Sequence, residues 1–347
     1  MALEGKAFRH YRILRLIGKG GMGEVYLLED LRVQRQVAAK FIFMPEMSSD
    51  QEATSTALHR FWREATAIAR LDHPSILPLY DHGEATIDGI SLAYLIMPYR
   101  PDGSLVNWLR LRARESQTRQ LTLKQIVHLI QQASRSLQYA HDHQVMHLDV
   151  KPANFLVQNG SPSAEYPDLL LSDFGISRLA TMTTGASINV RGTPTYMAPE
   201  QCTGQPAFAS DQYALAIMAY ELLTGHPPFH GTPMSVMFAH VHEQPPSVSQ
   251  QNLLVPGSVD LTLQSALSKK PEERFPSVTA FALAFEHSFQ GIDRATHLRL
   301  LYPSPPTPLS QPPAQPTATG DIRATLAISP EEAHNGTIRQ LTLANGQ

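Results

Sequence analysis

The stretch HLDVKPANFL, residues 147–156, places four polar side chains of different chemistry within eight positions: His147, Asp149, Lys151 and Asn154. A carboxylate can accept or orient a proton, and an ammonium can neutralise phosphate charge. An amide oxygen suits a hard cation such as Mg²⁺. Phosphoryl transfer is one reaction that uses these groups together, provided that other elements bring a nucleotide to them.

A second informative stretch is IGKGGMGEVY, residues 17–26. Gly18, Gly20 and Gly23 form a G-x-G-x-x-G pattern, and such small residues let backbone N–H groups approach phosphate oxygens. In a dinucleotide site this pattern would open a helix, whereas here the β-type run EVYLL follows. The pattern therefore indicates a strand–turn–strand flap over a nucleotide. A glycine-rich hairpin turn without a ligand is the alternative at this point.

Lys40 follows the apolar run VAA on the next predicted strand. A strand lysine at such a position should point inward, which is costly unless the ammonium is paired. Glu64, in the predicted helix HRFWREATAIARL, can supply the partner charge, and the pair would hold the ammonium against the α- and β-phosphates. Without Lys40, a solvated helix position would be the simpler interpretation of Glu64.

Hydrophobic periodicity predicts the elements that must hold these groups. Short apolar runs separated by turns predict that the first hundred residues form mainly antiparallel sheet with one helix. Beyond them the apolar spacing becomes helical, and Gly225 suits the end of a helix. The predicted strands cover residues 12–18, 24–30, 36–43 and 91–99, and the predicted helices cover residues 59–71, 123–143 and 210–225.

A third motif, D-F-G, lies at residues 173–175, some twenty residues beyond the first. The patterns G-x-G-x-x-G, V-A-x-K, H-x-D-x-x-x-x-N and D-F-G occur together in protein kinases. The chain resembles the protein kinase family over about residues 11–289, including an A-P-E tripeptide at 198–200. The stretches KGGMGEVY and GTPTYMAPEQ are most similar to bacterial members of the eukaryotic-like Ser/Thr kinases.

The resemblance implies an α+β, two-lobed protein kinase fold. A small, mainly antiparallel-β N-lobe would carry one key helix, and a larger C-lobe would be mainly helical. The residues after the kinase domain are proline-rich, and proline fixes φ and removes backbone donors, so an extended linker is expected there. The expected boundaries are 11–290 for the kinase domain (N-lobe about 11–97, hinge 98–101, C-lobe about 102–290), 291–320 for the linker, and 321–347 for a short tail, either β or partly disordered.

The resemblance also implies roles for the catalytic residues. Asp149 would orient the proton of a substrate hydroxyl, and Lys151 would neutralise the transferring γ-phosphate. Asn154 and Asp173 would bind Mg²⁺, which Mn²⁺ could replace. In Ser/Thr kinases the hydroxyl at the position of Thr193 contacts the catalytic Asp and Lys. Lys151 and Thr193 together favour a Ser/Thr acceptor.

The expected cofactor is ATP. By the same resemblance, Val25 and Ala38 would cover the adenine from above and Leu156 from below. The carbonyl of Pro98 would accept a hydrogen bond from adenine, which proline permits, and the Arg100 N–H would donate one. The full expected set, with Met97 as gatekeeper, is Ile17, Gly18, Lys19, Gly20, Gly21, Met22, Gly23, Val25, Ala38, Lys40, Met97, Pro98, Arg100, Asn154, Leu156 and Asp173.

Three structural contacts follow from the family pattern. Glu200 of A-P-E should pair with the buried Arg274 of PEERF. Asp211 should anchor the backbone of the catalytic loop from the central helix. His147 is expected to be a core strut linked to the D-F-G phenylalanine, Phe174, rather than a catalytic group.

Leu148 is the main departure from the pattern, because many kinases have arginine between the His and Asp of H-R-D. That arginine pairs with a phosphorylated activation-loop residue, which leucine cannot do. We therefore expect little dependence on activation-loop phosphorylation, unless Arg178 or Arg191 replaces the missing guanidinium. Autophosphorylation remains open at the hydroxyls of this loop, which belong to Thr181, Thr183, Thr184 and Ser187.

Composition excludes several classes of protein. The 347 residues carry a formal net charge of −3, which argues against nucleic-acid binding. The single cysteine excludes an internal disulfide framework and suits a reducing compartment. No run approaches the ~18 apolar residues of a membrane span, and the N-terminus lacks the apolar core of a signal peptide. A cytoplasmic protein is the expectation.

Three functions are compatible with these patterns. The complete set of catalytic residues favours an active Ser/Thr protein kinase over a nucleotide-binding pseudokinase or scaffold, which usually lacks one of them. A small-molecule phosphotransferase is disfavoured because GTPTYMAPEQ resembles a platform for peptide substrates. The expected partners are protein substrates with Ser/Thr acceptors, the chain itself included, and dimerisation is a further option.

Overall fold

The chain falls into two units in the computed structural model, Met1–Leu300 and Leu301–Gln347. The second unit holds the predicted tail and most of the predicted linker, and it lies outside the described residues. Several residues of the predicted site and activation loop also lie outside them: Gly21, Met22, Arg178, Thr181, Thr183, Thr184, Ser187, Arg191 and Thr193. The structure describes residues 3–20, 23–43, 61–115, 121–158, 161, 164–175 and 194–289.

The N-terminal part is a six-stranded antiparallel sheet in the order β1-β2-β3-β4-β6-β5. The four strands predicted from apolar runs are confirmed within one to two residues at each end. β5 was not predicted, because this edge strand is mostly polar and half-exposed. The strands are β1 Ala7–Phe8, β2 Tyr11–Gly20, β3 Gly23–Asp30, β4 Arg35–Phe43, β5 Asp81–Ile87 and β6 Ile90–Pro98.

Strand alternation puts Lys40 on the side of the sheet that faces the site. Val37, Ala39 and Phe41 of β4 pack into one apolar cluster, so Lys40 must point to the opposite face. Its partner across the ladder, Leu95, belongs to the other apolar cluster. That second cluster includes the helix α1, residues 61–69, in which Glu64 lies.

The C-terminal part is mainly helical and contains a two-stranded antiparallel sheet, β7 with β8. Among the described residues no helix is both long and apolar enough to cross a bilayer. The elements are α2 Leu105–Glu115, α3 Leu123–Asp142, β7 Phe155–Gln158, β8 Asp168–Leu171, α4 Pro199–Cys202, α5 Phe208–Thr224, α6 Pro233–His242, α7 Val248–Gln251, α8 Gly257–Ala266 and α9 Val278–His287, with 3₁₀ turns at Pro152–Asn154 and Pro271–Glu273.

The two long predicted helices are confirmed, and their ends have a local cause. α3 begins after Thr122, whose hydroxyl accepts from the backbone of Gln125 while the Gln125 side chain accepts from the Thr122 backbone. α5 ends at Gly225, which adopts the left-handed conformation with φ 85°. α5 is buried on nearly all sides, which makes it the central support for the site.

We predict that Gly23→Ala destabilises the glycine-rich hairpin. Gly23 has φ +142°, and a Cβ built on it would lie 2.1 Å from the backbone oxygen of Phe41. Such strain costs on the order of 1–3 kcal/mol, so the free energy of unfolding in urea should fall by about that amount. The control is Gly20→Ala, whose Cβ meets no described atom within 4 Å. Equal stability of the two variants would contradict the prediction.

Candidate active site

The predicted catalytic loop, residues 147–154, is held by the buried carboxylate of Asp211 on α5. Its Oδ2 accepts the backbone N–H of His147 at 2.8 Å, and its Oδ1 accepts that of Leu148 at 2.7 Å. The Nε2 of His141 lies 2.7 Å from Oδ2. Hydrogen-bond donors of this kind make a buried carboxylate tolerable. The predicted anchoring role of Asp211 is confirmed.

Asp149 collects two donors from its own loop. The Lys151 ammonium lies 2.7 Å from Asp149 Oδ2, and the Asn154 Nδ2 lies 2.9 Å from the same oxygen. Asn154 Nδ2 also donates to the Asp149 backbone oxygen at 2.7 Å. The amide of Asn154 is therefore held through its nitrogen, so its oxygen is the atom suited to a cation. The structure brings together the acid, the cation and the amide predicted from HLDVKPAN.

His147 connects the catalytic loop to the D-F-G segment. Its Nδ1 accepts the backbone N–H of Asp149 at 3.2 Å, so its other nitrogen, Nε2, can donate to the backbone oxygen of Ser172 at 2.9 Å. Its ring contacts that of Phe174 with centroids 4.7 Å apart, and its backbone oxygen accepts the Gly175 N–H at 2.9 Å. Complete burial lowers the pKa of His147, which favours the neutral imidazole. The predicted strut between His147 and Phe174 is confirmed.

The two predicted metal ligands lie on segments that are bonded to each other. The backbone N–H of Ser172 donates to the backbone oxygen of Asn154 at 2.8 Å, and the Ser172 hydroxyl donates to the same oxygen at 2.9 Å. Asp173 follows directly and adopts the left-handed conformation with φ 57°. This geometry presents Asp173 beside the loop that carries Asn154.

The Lys40 ammonium lies 2.7 Å from Asp173 Oδ1, which joins β4 to the D-F-G segment. The Lys40 side chain is 14% exposed, and that of Asp173 is 38% exposed. Surrounding protein acts to raise the pKa of Asp173, but the charge and hydrogen bond of Lys40 hold that pKa below its usual value. Glu64 is half-buried on α1, and its predicted pairing with Lys40 stays a prediction.

The expected adenine-binding residues occupy neighbouring positions of the strands. Ala38 lies opposite Met97 on β6, and Val25 of β3 lies opposite Lys40. Leu156 of β7 forms an isolated bridge with Ser104, just after the hinge. Strand pairing thus places Ala38 beside the predicted gatekeeper, and Leu156 next to the segment that links the two lobes.

Glu200 and Arg274 form the predicted buried ion pair. Two hydrogen bonds of 2.7 Å join the guanidinium to the two carboxylate oxygens, and Ser210 Oγ donates to Glu200 Oε1 at 2.7 Å. Burial acts to raise the pKa of Glu200, but Arg274 and Ser210 hold it below its usual value. A bidentate pair of this kind fixes the A-P-E segment to the end of the kinase-like region.

Two buried residues that contact segments near the site were missed by the sequence analysis. Gln201 donates to the Leu148 backbone oxygen at 3.0 Å. His240 lies between Tyr213, whose hydroxyl is 3.0 Å from Nδ1, and the Thr195 backbone oxygen, 3.0 Å from Nε2. Burial lowers the pKa of His240 to about 4, which keeps the imidazole neutral. Gln201 and His240 each contact a backbone oxygen, that of Leu148 and that of Thr195, so no residue spacing in the sequence reveals these contacts.

Several known proteins are similar to this chain over the described region. Residues 11–287 match the model of the protein kinase domain family. The serine/threonine-protein kinase PknB of Mycolicibacterium smegmatis is 35% identical over 271 residues, which are 76% of this chain and 40% of that protein. The serine/threonine-protein kinase PknF of Mycobacterium tuberculosis is 35% identical over 305 residues, which are 86% of this chain and 60% of that protein.

Solved structures give the same result. The crystal structure of the Mycobacterium tuberculosis PknI kinase domain is 30% identical, covers 83% of this chain and 100% of that domain, and has a TM-score of 0.62. The described fold is therefore the two-lobed fold of a protein kinase domain. The chain spans 40% of the matched PknB and 60% of the matched PknF.

We predict that His240 makes stability depend on pH between about 6.5 and 4. Its pKa is lowered from the ordinary 6.5 to about 4, so unfolding takes up a proton in this window. The stabilisation is complete above pH 6.5 and is lost as the pH falls towards 4. At pH 4.5 the loss from this one group should be about 2–3 kcal/mol.

The measurement is urea unfolding of wild type and His240→Gln at a series of pH values. The variant should lose about 2–3 kcal/mol less between pH 7 and pH 4.5 than wild type. His147 titrates in both proteins and cancels. The control is His242→Gln, an exposed histidine on the same helix, which should follow wild type. Parallel curves for wild type and His240→Gln would show the assignment to be wrong.

Proposed function

Because the chain belongs to the protein kinase domain family, we propose that it is an ATP-dependent Ser/Thr protein kinase, which transfers the γ-phosphate of ATP to protein hydroxyls. The observation that carries the proposal is the position of Asp149, which accepts hydrogen bonds from Lys151 and Asn154 at 2.7 and 2.9 Å. An oriented carboxylate flanked by a cation and an amide is what phosphoryl transfer requires, since this reaction depends on positioning and charge stabilisation.

Asn154 and Asp173 would hold the metal ion of this reaction. Their oxygens are the hard ligands that Mg²⁺ prefers, and the lowered pKa of Asp173 keeps that carboxyl ionised at neutral pH. When bound, the ion neutralises charge on the phosphates. The donor set therefore fits Mg²⁺, and Mn²⁺ has the same preference for oxygen and could replace it.

Each remaining residue has a distinct task in this proposal. Asp149 orients the acceptor hydroxyl and accepts its proton, and Lys151 neutralises the transferring phosphoryl group. Lys40 holds the α- and β-phosphates. Val25, Ala38 and Leu156, which lie on β3, β4 and β7, enclose the adenine.

The acceptor is proposed to be serine or threonine. Lys151 lies 2.7 Å from Asp149, where it can reach a phosphoryl group next to the acceptor oxygen. The relatives PknB and PknF are named serine/threonine-protein kinases. The substrates would include other proteins and the chain itself, and dimers of the chain would favour such autophosphorylation. The composition supports a cytoplasmic location, since a single cysteine suits a reducing compartment.

The proposal also includes little dependence on activation-loop phosphorylation. Leu148 is 3% exposed, so its side chain is part of the core rather than a partner for a phosphate. Its backbone N–H is held by Asp211 at 2.7 Å. The catalytic loop is thus supported by an acidic residue of the C-lobe, Asp211, and by a neutral one, Gln201.

The rival function is a nucleotide-binding pseudokinase that acts as a scaffold. Such a protein would bind ATP through the same strands but would not transfer phosphate. Substitution of Asp149 separates the two functions, because it removes the group that orients the acceptor and leaves the adenine-binding strands intact.

We predict that Asp149→Asn lowers kcat for phosphate transfer to a generic protein substrate by about 10²–10⁴-fold, because the proton acceptor is lost. Transfer is measured with labelled ATP and Mg²⁺, and ATP binding by calorimetry should persist. Asp142→Asn, an exposed aspartate at the end of α3, is the control and should keep wild-type activity. Undiminished transfer by Asp149→Asn would refute the catalytic assignment, and no transfer by wild type would favour the scaffold.

We predict that replacing Thr181, Thr183 and Thr184 together by alanine changes kcat by less than about tenfold, because Leu148 cannot pair with a phosphate. The measurement is transfer to an external substrate, with phosphorylation of the preparation followed by mass spectrometry. Wild type treated with phosphatase serves as the control. A loss of more than ~100-fold, or about 2.7 kcal/mol, would contradict this part of the proposal.

A further inference from the structure

Leu148, directly before Asp149, has an unfavourable backbone conformation. Its φ is +61°, in the left-handed region, which costs an ordinary L-residue roughly 1–2 kcal/mol. Such conformations persist only where the surroundings hold them. The question is which groups hold the peptide on each side of Leu148, since its orientation sets the position of Asp149.

The two sides of Leu148 are held by different elements. Its N–H donates to Asp211 Oδ1 on α5 at 2.7 Å, the contact expected from the family pattern. Its carbonyl oxygen accepts a hydrogen bond from Gln201 Nε2 on α4 at 3.0 Å. The second contact spans 53 positions of sequence, and the sequence patterns did not predict it.

The Gln201 amide is fixed at both of its atoms. Its Oε1 accepts the backbone N–H of Ala198 at 3.0 Å, while its Nε2 donates to Leu148. One partner is only a donor and the other only an acceptor, so the orientation of the amide is determined. The side chain is 2% exposed, so water does not compete for these bonds.

Gln201 therefore links two functional segments. The preceding residue, Glu200, is locked to Arg274 by two hydrogen bonds of 2.7 Å, so α4 is rigidly fixed in the C-lobe. From this fixed point Gln201 reaches the peptide bond between Leu148 and Asp149. The link is uncharged and needs no phosphate.

We propose that Gln201 is a positioning residue for the transfer reaction. It holds the Leu148 carbonyl so that Asp149 keeps its orientation without a phosphorylated activation loop. The inference rests on the proposed kinase function, but it concerns a different group and a separate measurement. The residue contributes through the catalytic loop and does not touch the substrate.

The decisive variant is Gln201→Glu, which keeps an oxygen for the Ala198 N–H and replaces the donor to Leu148 by an oxygen. We expect kcat to fall roughly ten- to hundredfold, since small misplacements of catalytic groups have effects of this size, with KM for ATP unchanged. A buried carboxyl has a raised pKa and donates when protonated, so the variant should recover part of its kcat as the pH is lowered from 8.5 to 6. Gln205→Glu, an exposed position with the same charge change, should behave as wild type.

A second variant and a second measurement keep the inference testable if Gln201→Glu fails to fold. Gln201→Met removes both hydrogen bonds without adding charge and should show the same selective loss of kcat. Hydrogen exchange of the backbone around residues 147–149 should be faster in both Gln201 variants than in wild type and in Gln205→Glu. This readout does not require activity.

The outcomes separate the inference from the proposed function. An inactive wild type overturns the kinase proposal. Faster hydrogen exchange in the variants would still show that Gln201 holds the backbone at Leu148. An active wild type with unchanged kcat and unchanged exchange in a folded Gln201 variant overturns the inference. A fall in kcat that is matched by Gln205→Glu, or that has no pH dependence in Gln201→Glu, also overturns it.

Discussion

The geometry of the candidate active site depends on one buried carboxylate, that of Asp211. A fully buried negative charge is stable only if donors surround it, and three groups supply them: the backbone N–H groups of His147 and Leu148 and the ring of His141. The requirement is mutual. The carboxylate needs the donors in order to be buried, and the loop needs the carboxylate in order to hold Leu148 in a left-handed conformation.

The rest of the site is organised around this anchored loop. His147 connects the loop to Ser172 by a hydrogen bond and to Phe174 by a ring contact, and so to the segment that holds Asp173. Gln201 connects the same loop to α4, which is fixed by the ion pair of Glu200 with Arg274. Apolar packing of α5 on nearly all sides keeps Asp211 itself in place. The links made by His147 and Gln201 are short contacts from a buried side chain to backbone or ring atoms.

Some residues of the candidate site and some elements of the fold could be predicted from the sequence, and others could not. The grouping of Asp149, Lys151 and Asn154 follows from their fixed spacing in the sequence. The central strands follow from the alternation of their apolar and polar side chains. Gln201 and His240 could not be found in this way, since they bind backbone oxygens, and a backbone oxygen is present at every position. The polar edge strand β5 was missed for a related reason, because its pairing comes from backbone groups and its side chains carry little apolar pattern.

The ion pair of Lys40 with Asp173 has a consequence for how strongly a nucleotide can bind. The ammonium already has a counter-charge 2.7 Å away. Under the proposed function, nucleotide phosphates would therefore compete with Asp173 for the ammonium and would not meet an unsatisfied cation. The Lys40 contribution to the binding free energy would then be the difference between its contact with phosphate and its contact with Asp173, and so smaller than the phosphate contact alone. Since the pair joins β4 to the segment after β8, the same competition would weaken a contact between the two lobes and would couple nucleotide affinity to the separation of the lobes.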